Sequence, residues 1–334
     1  MRAIYDGLTR LLEPLFGSGG ILAYHGVGRE PFLPSHHVTE STLRLHLEEL
    51  STQYTIIPLV EMVERLRRGR SIRRLLSITF DDAYVGVLRY AAPLFRELDL
   101  PATVFACAGH TRHGSRYWWD LLECVRVRGD ATQLQTLSSA LALPDLRGSN
   151  RDVFPRLRER ILSHRCGRGP EDVYTSNLPA LGSDWRSCTI TELQLLAEDP
   201  RFDFGSHTNS HPVLPFLPPA EQKQEIRQGH AFLVEHLPRV RPFLAYPYGL
   251  YNHTTVRVAD SCGITVGFSV EPRPPQLDDS PMQLPRMCMH EGTPTDRVSR
   301  TLATSHGRLR LLLRGRHPSL QQFHDTPAAP PHSG

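Results

Sequence analysis

Residues 75–82 read LLSITFDD: a six-residue run dominated by leucine, isoleucine and phenylalanine, then two adjacent aspartates. A run this short and apolar fits a strand buried on both faces of a parallel sheet. Downstream, Leu88, Ala91, Leu94, Phe95 and Leu98 fall on one face of a helix predicted over 85–98. Pro101 then announces a second buried strand over 102–106. Strand, helix and strand in this order form a crossover, and right-handed crossovers set parallel strands side by side with their carboxyl ends on one edge. Upstream, 21–24 reads as a strand, and leucine spacings over 42–54 and 59–68 read as helices; further strands are expected at 202–205, 242–246 and 264–270. This alternation predicts an α/β fold with a parallel sheet or barrel.

The chain has 334 residues, enough for a large core, with 40% hydrophobic and 22% charged residues, near the averages for globular proteins. Lys+Arg and Asp+Glu nearly cancel to +3, so no single-sign field argues for nucleic acid as a partner. Six cysteines are scattered without a C-x-x-C pair and read as reduced thiols. Asp6, Arg10 and Glu13 break the apolar stretch at the start, leaving no visible export signal and favouring the cytoplasm. In that same stretch Ile4, Leu8, Leu11, Leu12, Leu15 and Phe16 share a helical face. Residues 1–18 are therefore expected to form an amphipathic helix, packed on its own domain or touching a membrane surface through residues 1–16. Between about 117 and 200 the strand signal gives way to leucine-rich helical stretches, read as a helical insert in a domain spanning 19–320. The proline-rich residues 321–334 are expected to be disordered.

Three clusters stand at predicted strand ends. Asp81 and Asp82 leave the sheet together, and two carboxylates a few ångströms apart need a cation to keep both ionised; alone, such a pair also suits a helix start. His207 and His211, in HTNSHP after the strand FDFG, carry imidazoles four positions apart that can reach one ion. Two histidines with one carboxylate suit Zn2+ and leave a fourth position for water, whereas a histidine pair by itself is more often surface or capping chemistry. Leu244-Ala245-Tyr246-Pro247-Tyr248-Gly249 ends another strand with a turn that can aim backbone N–H groups into a pocket, or simply turn.

Taken together, TFDD, HTNSHP and YPYG, in that order, resemble the polysaccharide deacetylase family with nodulation-protein B homology, over roughly residues 21–290. Tyr24-His25-Gly26-Val27 and Tyr117-Trp118-Trp119-Asp120 resemble members found with bacterial surface-polysaccharide genes. The resemblance implies a distorted (β/α) barrel of about seven strands, and hydrolysis of an acetamido group on an amino sugar in a surface glycan or its nucleotide- or lipid-linked precursor. It implies Asp81 as catalytic base, Asp82, His207 and His211 as ligands of one divalent ion, Zn2+ first among candidates, and an oxyanion site at Pro247 and the Tyr248 N–H. His290 is the candidate proton donor, His25 a pocket residue, and Trp119 a ring that can stack on sugar or anchor the core. Ala245 stands where many members carry an arginine that holds the catalytic aspartate, and Arg286 is the expected substitute. If nothing replaces that arginine, the alternative is a glycan-binding relative with little turnover. A two-ion phosphoesterase is a further rival, separable by metal stoichiometry.

Overall fold

The computed structural model describes residues 18–30, 32–33, 36–129, 131–135 and 184–302. The expected N-terminal helix over 1–18, apart from Ser18, most of the helical insert and the tail over 321–334 lie outside them, as does Cys166; the five described cysteines are free thiols. No described helix is long and apolar enough to cross a membrane.

In chain order the elements are β1 (Gly20–Tyr24), α1 (Glu40–Ser51), β2 (Thr55–Ile56), α2 (Leu59–Arg67), β3 (Leu75–Phe80), α3 (Ala92–Glu97), β4 (Ala102–Ala106), α4 (Ala108–His113) and α5 (Trp118–Arg128). They continue with α6 (Ile190–Ala197), β5 (Phe202–Ser206), α7 (Pro219–His236), β6 (Val240–Ala245), α8 (His253–Ser261), β7 (Val266–Phe268), β8 (Met287–Cys288) and α9 (Thr295–Leu302). The strands form one eight-stranded sheet in the order β8-β1-β3-β4-β5-β6-β7, with short β2 beside the start of β3, and every pairing is parallel.

The sheet curls until its two ends meet on one segment. Leu284 N–H donates to Gly267 O and Ser269 N–H to Leu284 O, both 2.9 Å, while three residues on Met287 pairs with Leu22 of β1. Residues 284–288 thus join β7 to β1 and complete the distorted (β/α) barrel.

Strand alternation divides the core. Leu22, Tyr24, Ile78, Phe80 and Val104 face outward and pack with Leu43, Leu47, Leu94 and Phe95 of the helices. The intervening Ile21, Phe105, Phe243 and Phe268 gather with Leu284 in a second core. Burial on both faces explains why β3 and β4 read as nearly continuous apolar runs.

One helix departs from its expected form. Within the span 85–98, residues Val87–Ala91 make a π turn before α3 begins, and Ala92 N–H reaches back to Val87 O. Pro93, with no N–H, cannot supply the α-type bond to Arg89, so the turn widens at that point.

Candidate active site

The ladder fixes which aspartate points where. Asp81 N–H donates to Tyr24 O at 2.8 Å, prolonging β3 by one residue. Asp81 shares its parity with Ser77 and Thr79, so its side chain enters the barrel. There Arg286, 0% exposed, meets it in a two-pronged pair: Nη1 to Oδ1 and Nη2 to Oδ2, both 2.7 Å. Arg286 Nη1 also donates to Thr79 Oγ1 at 3.1 Å and Nε to Ser269 O at 3.3 Å. Its guanidinium lies 5.3 Å from the centre of the Phe105 ring and 5.9 Å from that of Phe268. A buried cation is tolerable only when its donors are engaged and a counter-charge is near, and both conditions hold here. The guanidinium that meets Asp81 thus comes from Arg286, on the segment that closes the barrel.

At Asp82 the chain turns away with φ 66°, followed by Ala83 at φ 50°. Its carbonyl accepts from Tyr117 OH at 2.8 Å. The carboxylate, 1% exposed, puts Oδ1 3.6 Å from Nε2 of both His207 and His211, whose rings lie 4.7 Å apart. One ligand atom from each of the three residues lies within 4.8 Å of the other two. Oδ1 is buried with no hydrogen-bond partner among the described residues. At 3.6 Å the imidazoles are beyond hydrogen-bonding reach of it. Yet donors placed tetrahedrally at about 2.1 Å from Zn2+ stand roughly 3.4 Å from one another. A cation fits this donor set.

The ring states agree. His207 Nδ1 is 2.7 Å from Ala245 O; a carbonyl only accepts, so Nδ1 carries the proton and Nε2 keeps its lone pair toward Asp82. Burial, then repulsion from His207 and His110, holds His211 well below the ordinary imidazole range, leaving it neutral and able to ligate. The loop that carries both rings is clamped from α7: Glu225 accepts from the N–H of Asn209 at 3.1 Å and of Ser210 at 2.8 Å. Gly229, one helical turn further on, lets the loop lie against the helix, since a Cβ there would stand 2.5 Å from the Thr208 carbonyl carbon.

The aromatic wall comes from α5. Trp119 and Tyr248 each lie edge-on to His211, at 5.0 and 4.7 Å, and Trp118 Nε1 donates to Tyr248 OH at 3.2 Å. Tyr248 itself has φ 58° in the turn after Pro247. Trp119 is only 6% exposed, and its Nε1 donates to Tyr84 OH at 2.8 Å. Tyr84 therefore has its own proton left to give, and passes it to Asp120 Oδ2 at 2.5 Å. From the other side Gly26 N–H donates to His37 Nδ1 at 3.1 Å, so His37 Nε2 carries the proton toward Asp120 Oδ1 at 2.8 Å. Burial pushes the Asp120 carboxyl up to about 8, and the Tyr84 bond pulls the other way.

His25 follows β1 on the same rim, its ring 3.8 Å from that of His36, and His36 Nε2 lies 3.7 Å from Asp82 Oδ2. His290 follows β8, half-buried, with its N–H donating to Thr293 Oγ1 at 3.1 Å. Burial, Arg297 and His36 lower its pKa. The sequence reading missed His36, His37 and Tyr84. The doublet His36-His37 was the available signal, but no ligand spacing relates it to residues 82 or 120.

Residues 181–267 match the family model described as polysaccharide deacetylase. No curated protein sequence matches the chain. Among solved structures, the fold is similar to Streptococcus pyogenes deacetylase PplD, solved with acetate, at 16% identity and TM-score 0.56, over 85% of this chain and 97% of that one. It is also similar to IcaB from Ammonifex degensii, at 18% identity and TM-score 0.56, over 86% and 98%. A third match is the BpsB deacetylase domain from Bordetella bronchiseptica, at 15% identity and TM-score 0.53, over 81% and 95%. The resemblance read from TFDD, HTNSHP and YPYG is borne out: the chain carries the polysaccharide deacetylase pattern over residues 181–267 and the barrel fold of such deacetylases over most of its length.

Proposed function

We propose that this protein is a metal-dependent deacetylase that hydrolyses the N-acetyl group of an amino sugar in a surface glycan or its nucleotide- or lipid-linked precursor. The observation that carries the reading is the convergence of Asp82, His207 and His211 on one point beside an Asp81 held by Arg286. Asp82, His207 and His211 would hold one divalent cation, Zn2+ first. When bound, that cation supplies Lewis acidity toward the acetyl carbonyl and the attacking water.

The protein's own groups do the rest. Asp81 takes a proton from the attacking water, and the Arg286 fork keeps its carboxylate aimed. The Tyr248 N–H, beside Pro247, faces the oxyanion that forms on the acetyl oxygen. His290 hands a proton to the departing amine; a lowered pKa makes its charged form a ready donor. His25 lines the same rim, and Trp119 walls the pocket beside His211.

Acetate release from N-acetylated amino sugars and their oligomers, compared between wild type and Asp81→Asn, tests the proposal. General-base loss is expected to lower turnover about 10²–10⁴-fold. Equal acetate release from the two proteins refutes Asp81 as the base, and none from either while glycan binding persists favours the noncatalytic binding reading.

A further inference from the structure

We infer that the base of the barrel, on the side of β1 and β3, seats on an anionic phospholipid surface through Arg70, Arg73 and Arg74. The stretch that leads into β3 reads RLRRGRSIRR over 65–74, six arginines in ten residues. The chain as a whole carries only +3, so this charge is local. Every strand pairing in the barrel is parallel, which puts the start of β3 on the edge opposite the rim that carries Asp81 and Asp82. This face lies away from the candidate active site and owes nothing to its chemistry.

The turn that carries these arginines is fixed. Ile72, 6% exposed, anchors it in the second core with Ile21 and Leu66. Leu75 N–H donates to Ile72 O at 3.0 Å and Thr55 N–H to Arg74 O at 2.8 Å. Arg70, Arg73 and Arg74, on either side of the anchor, are exposed. Their neighbours are engaged: Arg65 pairs with Glu61, Arg68 with Glu64, and Arg67 donates to Thr265 O at 3.0 Å. Arg70, Arg73 and Arg74 have no acidic partner among the described residues. Elsewhere on the same base, at the starts of β5 and β6, Arg201 pairs with Asp99 and Asp199, and Arg241 with Asp203. A merely solvated face interleaves its charges in that way, whereas a single-sign cluster on a pinned turn is built to meet an anionic surface.

What joins the chain beside this turn indicates which surface. Ser18 N–H donates to Leu302 O at 3.0 Å, so the residues on the far side of each leave the described fold together. Gly19 lies against the arginine turn itself: a Cβ there would stand 2.1 Å from Ile72 O and 2.4 Å from Leu75 O. The adjoining sequences mix leucine with arginine, as IYDGLTRLLEPLF over 4–16 and RLRLLLRGR over 308–316. Arginine answers lipid phosphate, and leucine answers the acyl boundary beneath it. A nucleic acid or an acidic protein would use the arginines but not so many leucines. Seating on the base leaves the rim turned to the aqueous phase.

Co-sedimentation of the full chain with vesicles tests this, comparing phosphatidylcholine alone with equal parts of phosphatidylcholine and phosphatidylglycerol. The expected result is binding to the anionic vesicles only, weakened by added salt. Each arginine at such a surface contributes roughly five-fold in affinity, so the triple variant Arg70→Gln/Arg73→Gln/Arg74→Gln should bind about 10²-fold more weakly, with an unchanged melting temperature. Neutralising three exposed cations of the α7–α8 flank, in Lys223→Gln/Arg227→Gln/Arg257→Gln, should leave binding as it was. Equal binding to both kinds of vesicle, or to neither, overturns the inference. So does a triple variant that binds like wild type, which would move the contact to the chain ends, or an equal loss in the flank variant. Tighter binding to a DNA oligonucleotide than to the anionic vesicles overturns it in favour of nucleic acid.

Discussion

Replacing Arg286 by methionine tests the coupling between barrel closure and the candidate base. The guanidinium is wholly buried, and its four donated hydrogen bonds include both prongs on Asp81. Methionine fills much of the same volume between Phe105 and Phe268, so packing changes little. The dominant loss is the counter-charge of a buried carboxylate, which costs about 3–5 kcal/mol. For a chain of this size that lowers the melting temperature on the order of 10 °C. Arg286→Lys keeps the charge but not the fork, and is expected to cost about 2 kcal/mol. Asp81→Asn alone strands the guanidinium in turn. The Arg286→Met/Asp81→Asn double variant should therefore be more stable than the sum of the single losses implies, by about 2–3 kcal/mol. Urea unfolding of the four proteins in metal-free buffer measures the cycle, and acetate assays of Arg286→Met should show a lower kcat with little change in KM. Arg286→Met within about 1 kcal/mol of wild type, or strictly additive losses, would falsify the account of Asp81 given above.

Chelator treatment is expected to abolish acetate release and lower the melting temperature, with both restored by added Zn2+ in proportion to RT ln(1 + [Zn]/Kd); an unchanged melting temperature on stripping counts against the Asp82, His207, His211 centre. Tyr84→Phe removes both the acceptor of the buried Trp119 N–H and a donor to Asp120. It should cost about 1–3 kcal/mol, read by thermal unfolding. Glu192 closes a capping box with Thr189 at the start of α6; Arg186 and Thr189 hold its carboxyl at about 2, below its ordinary 4.5. The native state therefore binds fewer protons than the unfolded one between these values, and the stability Glu192 contributes is present above about pH 4.5 and fades as pH falls toward 2. The melting-temperature gap between wild type and Glu192→Gln should accordingly close over that interval, and a gap constant with pH refutes the assignment.

Strands buried on both faces are legible because they leave no polar face to interrupt the pattern, and 75–80 and 102–106 emerge at the bounds read from sequence. Two-residue strands are not legible: β2 and β8 carry too few residues for any period, and they exist because neighbouring strands present unpaired ladder edges. The ends of LLSITFDD, FDFGSHTNSHP and LAYPYG were readable as rim positions once the strands were, which is why Asp82, His207 and His211 meet. Arg286 was readable only as a possible substitute, since its approach to Asp81, 205 positions away, depends on β8 lying beside β1 and β1 beside β3. Nothing local marks His36, Tyr84 or Asp120 as neighbours. Their meeting is a property of two loops and the first turn of α5 packing on one rim, decided by tertiary packing rather than by spacing along the chain.

Backbone conformation at the rim bears on what the site is for. Nine non-glycine residues among those described have positive φ, and five of them, Asp82, Ala83, Thr208, His211 and Tyr248, belong to the three loops that build the site. Asp82 tolerates this region through its short polar side chain, but Thr208 at φ 70° is β-branched and has no such relief. Such residues cost of order 1–3 kcal/mol each and persist only where surrounding contacts over-determine them. Those contacts are present: Tyr117 OH on the Asp82 carbonyl, and the Thr208 hydroxyl accepting the His211 N–H at 3.1 Å. Glu225 completes them through the two intervening amides. A loop meant only to connect strand to helix would relax into the ordinary right-handed region and swing Asp82 and His211 outward. Holding them in the left-handed region turns three side chains inward onto one point at the expense of local stability, the compromise expected where geometry at the rim matters more than its fold stability.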